Sequence, residues 1–424
     1  MRKYIAALLL AAALLCLPLG ARGETARPAQ QANAETAPEI DLGPDAEPVP
    51  APAEPAPLSA GPLLESPPFQ SACASLMLLE ADSGQIIFEM NADAPRPVAS
   101  VTKVMTILLA LEAIDQGRLN PEDEIAVSDS AAGMGGSQVL LDVGERQSVS
   151  TLLKCMIVGS ANDAAVALAE AMYGGEAACV EAMNRRAAEL GMADTHFENC
   201  TGLPAQDQHT TARDVAVMSR QMFAHPLYFD YSSIWMENID HGDGRITELV
   251  NTNKLIRLYD GCDGGKTGST GEAGYCVSAT ARRGGMRLIA VVLGAAEGKE
   301  RFAIARRMFD YGYANYRLYP VARRGTRVKG RLPVSGGARD GVTLMLDGDL
   351  TLLVSKGGEQ DVSLRPNLPE SIAAPVAAGQ VVGSVTVTLG GRVVAEIPVA
   401  AVDDVAAKGL RRDLRRIWQS WLLR

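Results

Sequence analysis

The segment from Glu24 to Pro68 sets the limits of the fold, because its 45 residues include 11 Pro and 10 Ala, with eight acidic residues against one basic, Arg27. Few large apolar side chains are present to offset the entropy of ordering, so residues 24–68 are expected to form an extended, disordered spacer. The segment also holds −7 of the chain's net charge of −10. Only −3 is left for all the other residues together, so the overall acidity says little about the folded body, which must lie beyond Pro68. A chain of 424 residues with a 47 % hydrophobic share leaves room there for two domains with a buried core. No domain-wide basic excess exists to neutralise phosphates, which argues against nucleic acid as a partner.

Residues 1–23 have the form of a signal peptide. Arg2 and Lys3 precede an apolar run from Tyr4 to Leu19, and Ala21 and Gly23 supply small residues for cleavage. An uncleaved N-terminal anchor is the alternative, while Leu15 is a poor neighbour for a lipidated Cys16. Both readings put the rest of the chain outside the cytoplasm.

Globular patterning begins near Cys73. Ser75–Glu80 reads as a buried strand, Asp82-Ser-Gly84 as a turn and Ile86–Met90 as the returning strand. Val104, Ile107, Leu108 and Leu111 then recur at helical spacing, which places Ser100 at the start of a helix. Ser100-Val-Thr-Lys103 is an S-x-x-K tetrad. Three residues is slightly less than one turn, so the Lys103 amine lies on the face of the Ser100 hydroxyl. A serine hydroxyl needs a base to become a nucleophile, and a lysine whose pKa is lowered by burial and a second cation can be that base. Alone, the tetrad is far more often just a capping serine and a solvated lysine.

Two further motifs follow in order. Gly159-Ser160-Ala161-Asn162-Asp163 lies between a helix bearing Val149, Leu152, Leu153 and Met156 and a second helix from Ala164 to Met172, giving an S-x-N element. Gly264-Gly-Lys266-Thr267-Gly268-Ser269 places K-T-G at the head of a strand running on through Tyr275–Ala279. A Walker phosphate loop would need G-x-x-x-x-G-K-[ST] opening a helix, and this segment does neither.

The order S-x-x-K, S-x-N, K-T-G is similar to that of penicillin-binding proteins and serine β-lactamases. The text around it, Asn91–Thr106, Val158–Ala165, Asn199-Cys-Thr-Gly-Leu-Pro204, His209–Asp214 and Asp263–Cys276, resembles the low-molecular-mass D-alanyl-D-alanine carboxypeptidases. Ala161 stands where that branch usually has Gly, and Ser269 occupies a variable position. The resemblance implies an α+β fold: a serine β-lactamase/penicillin-binding transpeptidase-like catalytic domain (residues 69–319), with a five-stranded antiparallel sheet flanked by helices and K-T-G on its edge strand. A small all-β domain (320–404) and an amphipathic helix (405–424) follow.

By the same resemblance the activity is that of a serine-type D-alanyl-D-alanine carboxypeptidase, acting on peptidoglycan stem peptides that end in D-Ala-D-Ala and inhibited covalently by β-lactam antibiotics. Ser100 would be the nucleophile and Lys103 its base. Ser160, held beside Lys103, would relay a proton to the leaving nitrogen, and Asn162 would orient Lys103 and the substrate amide. Lys266 and Thr267 would bind the substrate carboxylate next to Gly268, and the backbone N–H groups of Ser100 and Ser269 would form the oxyanion hole. A β-lactamase or endopeptidase of the same fold and a non-catalytic penicillin-binding scaffold are the alternatives. Against a β-lactamase, the nearby E-x-x-N, Glu181-Ala-Met-Asn184, lies in helical text and reads as a surface glutamate.

No cofactor is implied. His196, His209, His225 and His241 show no H-E-x-x-H, and no paired C-x-x-C spacing marks a zinc site. His209 reads as structural. Cys73, Cys155, Cys179, Cys200, Cys262 and Cys276 sit largely in apolar text, and no disulfide is expected. Past Tyr319, short alternating runs at Val342–Leu346, Thr351–Val354, Val381–Leu389 and Val393–Ile397 read as the β domain. From Lys408 to Arg424, Leu410, Leu414, Ile417, Trp418, Trp421 and Leu422 fall at helical spacing among six basic residues, the pattern of a helix lying on a membrane surface.

Overall fold

The computed structural model describes Pro55, residues 57–59 and residues 61–409. The signal segment, most of the Pro/Ala-rich spacer and residues 410–424 of the expected last helix lie outside the described residues. Residues 405–407, the expected start of that helix, belong instead to the β domain, with Val405 bridging Val376 and Ala407 bridging Gly337. The first hairpin is as expected, β1 (Ser75–Glu80) and β2 (Ile86–Met90), antiparallel with Leu76 opposite Met90. Ser100 sits in a single 3₁₀ turn, Ala99–Thr102, that leads into α1 (Lys103–Asp115).

A helical layer follows. It comprises β3 (Glu124–Ala126), α2 (Asp129–Ala132), β4 (Arg146–Ser148), α3 (Val149–Val158), α4 (Asn162–Tyr173), α5 (Glu176–Glu189), α6 (Ala212–Phe223) and α7 (Pro226–Ser232). Next come the hairpin β5 (Met236–Asp240) and β6 (Ile246–Val250), α8 (Leu255–Leu258), strands β7 (Cys262–Thr270), β8 (Gly274–Arg283) and β9 (Met286–Ala295), and α9 (Gly298–Asn315).

The main sheet has the order β2-β1-β9-β8-β7 with every neighbour antiparallel, so the last three strands return to the first two and β7 is left on an edge. Both faces are covered, which explains why β1 reads as an unbroken apolar run rather than an alternation. Met77 and Leu79 join one core with α1, α3, α4, α5 and α6, while Leu76 and Leu78 join a second with Phe302, Ile304, Met308 and Phe309 of α9. In β9 the same division places Ile289, Val291 and Leu293 on the first face and Leu288, Ala290 and Val292 on the second. Residues 103–111 of α1 are all buried, so this helix is wrapped on every side.

Three further expectations need correction. Residues 58–68 are not part of a free spacer: Leu63 and Leu64 donate their N–H groups to the Ile86 and Ile87 carbonyls of the edge strand at 2.9 Å, Leu58 packs on the first core, and Leu64 packs on the second. The exposed backbone of β2 and a pair of leucines at the end of the proline tract outweigh its composition. K-T-G does not head the strand that contains Tyr275. It lies inside β7, and a turn around Gly274, at φ +62°, starts β8. The β region also begins earlier than residue 320, at β10 (Tyr316–Ala322), which pairs with β13 (Leu350–Ser355).

The remaining strands are β11 (Arg327–Ser335), β12 (Gly341–Leu346), β14 (Val362–Asn367), β15 (Ile372–Ala373), β16 (Val381–Leu389) and β17 (Arg392–Ala401), in the sheet order β14-β16-β17-β12-β11-β15. All pairs there are antiparallel except β11 with β15. Val342, Val387, Val399 and Val405 anchor their separate core.

Candidate active site

Ser100, Lys103, Ser160, Asn162 and Lys266 come from α1 and its leading turn, the α3–α4 junction and β7, and the fold brings them together. Lys103 is wholly buried. Its Nζ donates to Ser100 Oγ at 2.9 Å, Asn162 Oδ1 at 2.6 Å and the Thr201 carbonyl at 2.6 Å. Burial lowers its pKa to about 7, against the opposing influence of Cys200 and Asp163. The partner set fits a neutral amine as well as an ammonium. Asn162 Oδ1 and the Thr201 carbonyl can only accept, so they take two N–H bonds and turn the remaining position, a lone pair in the neutral form, toward the Ser100 hydroxyl.

Asn162 is itself held. Its Nδ2 donates to the Gly135 carbonyl at 2.6 Å and its backbone N–H to Ser137 at 2.7 Å. The neighbouring Asp163 is buried, and its carboxylate accepts from the backbone N–H groups of Val139 and Leu141, with Oδ2 at 3.0 and 3.2 Å. S-x-N-D thus fixes the loop over residues 135–141 as well as Lys103.

Ser160 takes a left-handed φ of +65°, as does Ala99 at +50° beside Ser100, conformations that cost a non-glycine residue on the order of 1 kcal/mol each. The Ser160 Oγ accepts from Lys266 Nζ at 2.7 Å, so this hydroxyl is tied to the lysine of the third motif rather than to Lys103. Lys266 is also buried and donates to the Thr267 carbonyl at 3.0 Å. Burial first, then the charges of Lys103 and Arg301, hold its pKa well below the usual lysine range. Thr267 is buried next to it, while Ser269 is exposed at the far end of the motif.

Two glycines let backbone approach the turn that carries Ser100. A Cβ on Gly268 would stand 2.4 Å from the Val98 carbonyl oxygen and 2.8 Å from the Ser100 nitrogen. One on Gly202, at φ +84°, would stand 2.0 Å from the Ala99 oxygen. Neither position has space for a side chain.

Sequence reasoning missed three contributors. The Thr201 carbonyl belongs to the backbone and leaves no mark in a motif of side chains. Asp163 adjoins S-x-N and could have been found as a charged residue opening an apolar helix. Arg301, on α9, donates Nη1 to the Gly268 and Cys276 carbonyls at 2.9 and 3.1 Å, and its guanidinium lies 5.5 Å from the Tyr275 ring centre. Its Nε is buried without a hydrogen-bond partner among the described residues, and no local spacing connects it with β7. Other expected features lie apart from the site. Glu181 is exposed on α5, and Asn184 exchanges hydrogen bonds with the Phe197 backbone at 2.8 Å. His209 forms a backbone bridge with His196. The six described cysteines are free thiols.

The sheet, its helical cover and a serine hydroxyl 2.9 Å from a buried lysine amine are the features of a serine hydrolase of the penicillin-binding class. Residues 63–297 match Peptidase_S11, the family described as D-alanyl-D-alanine carboxypeptidase, and residues 316–407 match the C-terminal domain of penicillin-binding protein 5. The chain is 37 % identical over 348 residues to D-alanyl-D-alanine carboxypeptidase DacF of Bacillus subtilis (strain 168), covering 82 % of this chain and 89 % of that one. Penicillin binding protein 5 from Haemophilus influenzae shares its fold at a TM-score of 0.72 and 30 % identity, over 80 % of this chain and 99 % of that one. Penicillin-Binding Protein D2 from Listeria monocytogenes in its ampicillin-bound form aligns at a TM-score of 0.53 and 30 % identity, over 58 % of this chain and all of that one. This chain belongs to the D-alanyl-D-alanine carboxypeptidase family.

Proposed function

We propose that the chain removes the terminal D-alanine from peptidoglycan pentapeptide stems through an acyl-enzyme on Ser100, and that β-lactam antibiotics acylate the same hydroxyl. The observation that carries this reading is the buried Lys103 amine, 2.9 Å from Ser100 Oγ and held by two acceptor-only oxygens. Neutral Lys103 takes the Ser100 proton as Oγ attacks the carbonyl carbon between the two D-alanines. The oxyanion forms beside the Ser100 backbone N–H, where Gly268 brings β7 close, and the Ser269 N–H is its second donor. Such a donor contributes about 3 kcal/mol in the transition state.

Lys266 donates into the Ser160 oxygen, which leaves the Ser160 proton free for the departing D-alanine nitrogen as the C–N bond breaks. The Lys103 ammonium passes the proton it took from Ser100 to Ser160, which restores the neutral amine. Water then attacks the ester, Lys103 accepts its proton, and that proton goes to Ser100 Oγ as the ester C–O bond breaks. The substrate's terminal carboxylate supplies the negative charge that a buried Lys266 lacks, and the Thr267 hydroxyl and Arg301 border the same strand. Incubation with diacetyl-Lys-D-Ala-D-Ala should release one D-alanine per peptide; an intact peptide in the presence of an enzyme that still reacts with penicillin would contradict the carboxypeptidase assignment.

The place of action is outside the cytoplasm, on the cell wall. No helix among the described residues is long and apolar enough to cross a membrane. Attachment to the outer face of the cytoplasmic membrane is assigned to residues 408–424, whose basic, tryptophan-bearing helical spacing suits the surface of anionic lipid.

A further inference from the structure

We infer that Glu176 is a positioning residue for the reaction's base, acting through Cys200 on the Thr201 carbonyl that holds Lys103. Glu176 opens α5, yet its carboxylate is directed away from that helix. One oxygen, Oε1, accepts both the Cys200 backbone N–H at 3.1 Å and the Cys200 thiol at 3.2 Å. On the other side of the same residue, the Cys200 carbonyl accepts from Thr106 Oγ1 at 2.7 Å, and Thr106 lies on α1 less than one turn from Lys103. Cys200 is wholly buried between these two grips. The next carbonyl along the chain is the 2.6 Å acceptor of the Lys103 amine. Asn199 restrains the following residues, accepting from the Thr201 and Gly202 N–H groups at 3.2 and 2.7 Å, but the Cys200 N–H is held by Glu176.

A carboxylate accepting two hydrogen bonds on one oxygen is a stiffer tether than a neutral acceptor. The groups facing Lys103 are Ser100 on its own segment, Asp163 of α4, the Cys200 thiol and the Lys266 amine of β7. Those facing Glu176 are Cys179 on its own helix and Cys200. The Thr201 carbonyl favours the charged form of Lys103 because it accepts a hydrogen bond from it. Loosening that carbonyl should therefore lower the pH at which Lys103 loses its proton, and should also set the base less well against Ser100.

The inference rests on Lys103 acting as the base. The test is the second-order rate of acylation by benzylpenicillin, followed from about pH 5 to about pH 10 on the full chain and its variants. For Glu176→Ala the plateau rate should fall about tenfold and the ascending limb should move down by about half a pH unit. Glu176→Gln, which keeps an acceptor oxygen in place, should recover both. Should the alanine variant fail to fold, Glu176→Asp draws the same carboxylate back by one methylene and should move the limb in the same direction by less. A limb that stays at the wild-type pH in Glu176→Ala, or in Glu176→Asp where the alanine variant does not fold, with or without a lower plateau, would overturn the inference and leave Glu176 a purely structural residue. A wild-type enzyme with no ascending limb would instead overturn the role of Lys103.

Discussion

Burial is the dominant influence on Lys103, and it sets the pH at which the site can work. A lysine in water is protonated at neutral pH and cannot accept the Ser100 proton, whereas one lowered to about 7 is half neutral there. With neutral Lys103 as the proposed base, acylation by a β-lactam should rise with pH through about 7 and level off above it. Lys103→Arg keeps a cation of similar length that never deprotonates, so its acylation rate should fall by about a thousandfold at every pH, within the range by which acid–base groups contribute. Stopped-flow acylation of the two proteins measures this. An arginine variant that acylates at the wild-type rate would exclude proton transfer to residue 103. At this scale the sequence was informative for Ser100 and Lys103 because a three-residue spacing on a helix is local geometry. It was silent on the Thr201 carbonyl, since any residue type supplies one, and on Arg301, whose approach to Gly268 depends on α9 packing against the far end of the sheet.

Between elements, the site depends on how closely β7 approaches the turn that carries Ser100. Gly268→Ala would place a methyl group 2.4 Å from the Val98 oxygen and 2.8 Å from the Ser100 nitrogen, both backbone atoms that cannot rotate aside. The strand must therefore withdraw by several tenths of an ångström, which separates the two N–H groups proposed as oxyanion donors. Acylation should fall about a hundredfold while the thermal midpoint moves by only a few degrees, a split measured by penicillin binding beside differential scanning calorimetry. A variant with normal acylation would show that the approach is not needed.

The strands themselves were legible wherever turn residues bracket an apolar run, as Asp82-Ser-Gly84 does between β1 and β2. Periodicity could not show that Gly271-Glu-Ala-Gly274 ends β7 and starts a new strand, because a glycine-rich motif already fills β7. Composition likewise could not show that Leu63 and Leu64 complete the sheet's edge, since their partner is the backbone of residues more than twenty positions away.

Taken whole, the molecule joins a two-faced catalytic sheet to a β domain, and the two share buried contacts through Tyr316 and Leu353 of β10 and β13, which belong to the same core as Phe309 and Leu288. The boundary was hard to place from sequence because β10 continues directly from α9 with no linker composition between them. The proposed membrane attachment is tested at the same scale. Deleting residues 408–424 should release the protein from vesicles containing anionic lipid, and sedimentation with the vesicles unchanged by the deletion would contradict attachment through that segment. The central claim is that Ser100 is an acylated nucleophile activated by Lys103, and intact-mass spectrometry after brief exposure to benzylpenicillin tests it most directly. The protein lacking its signal segment should gain the mass of one penicillin, and Ser100→Ala should gain none. An unmodified wild-type protein beside intact penicillin, or an adduct that persists in Ser100→Ala, would contradict it.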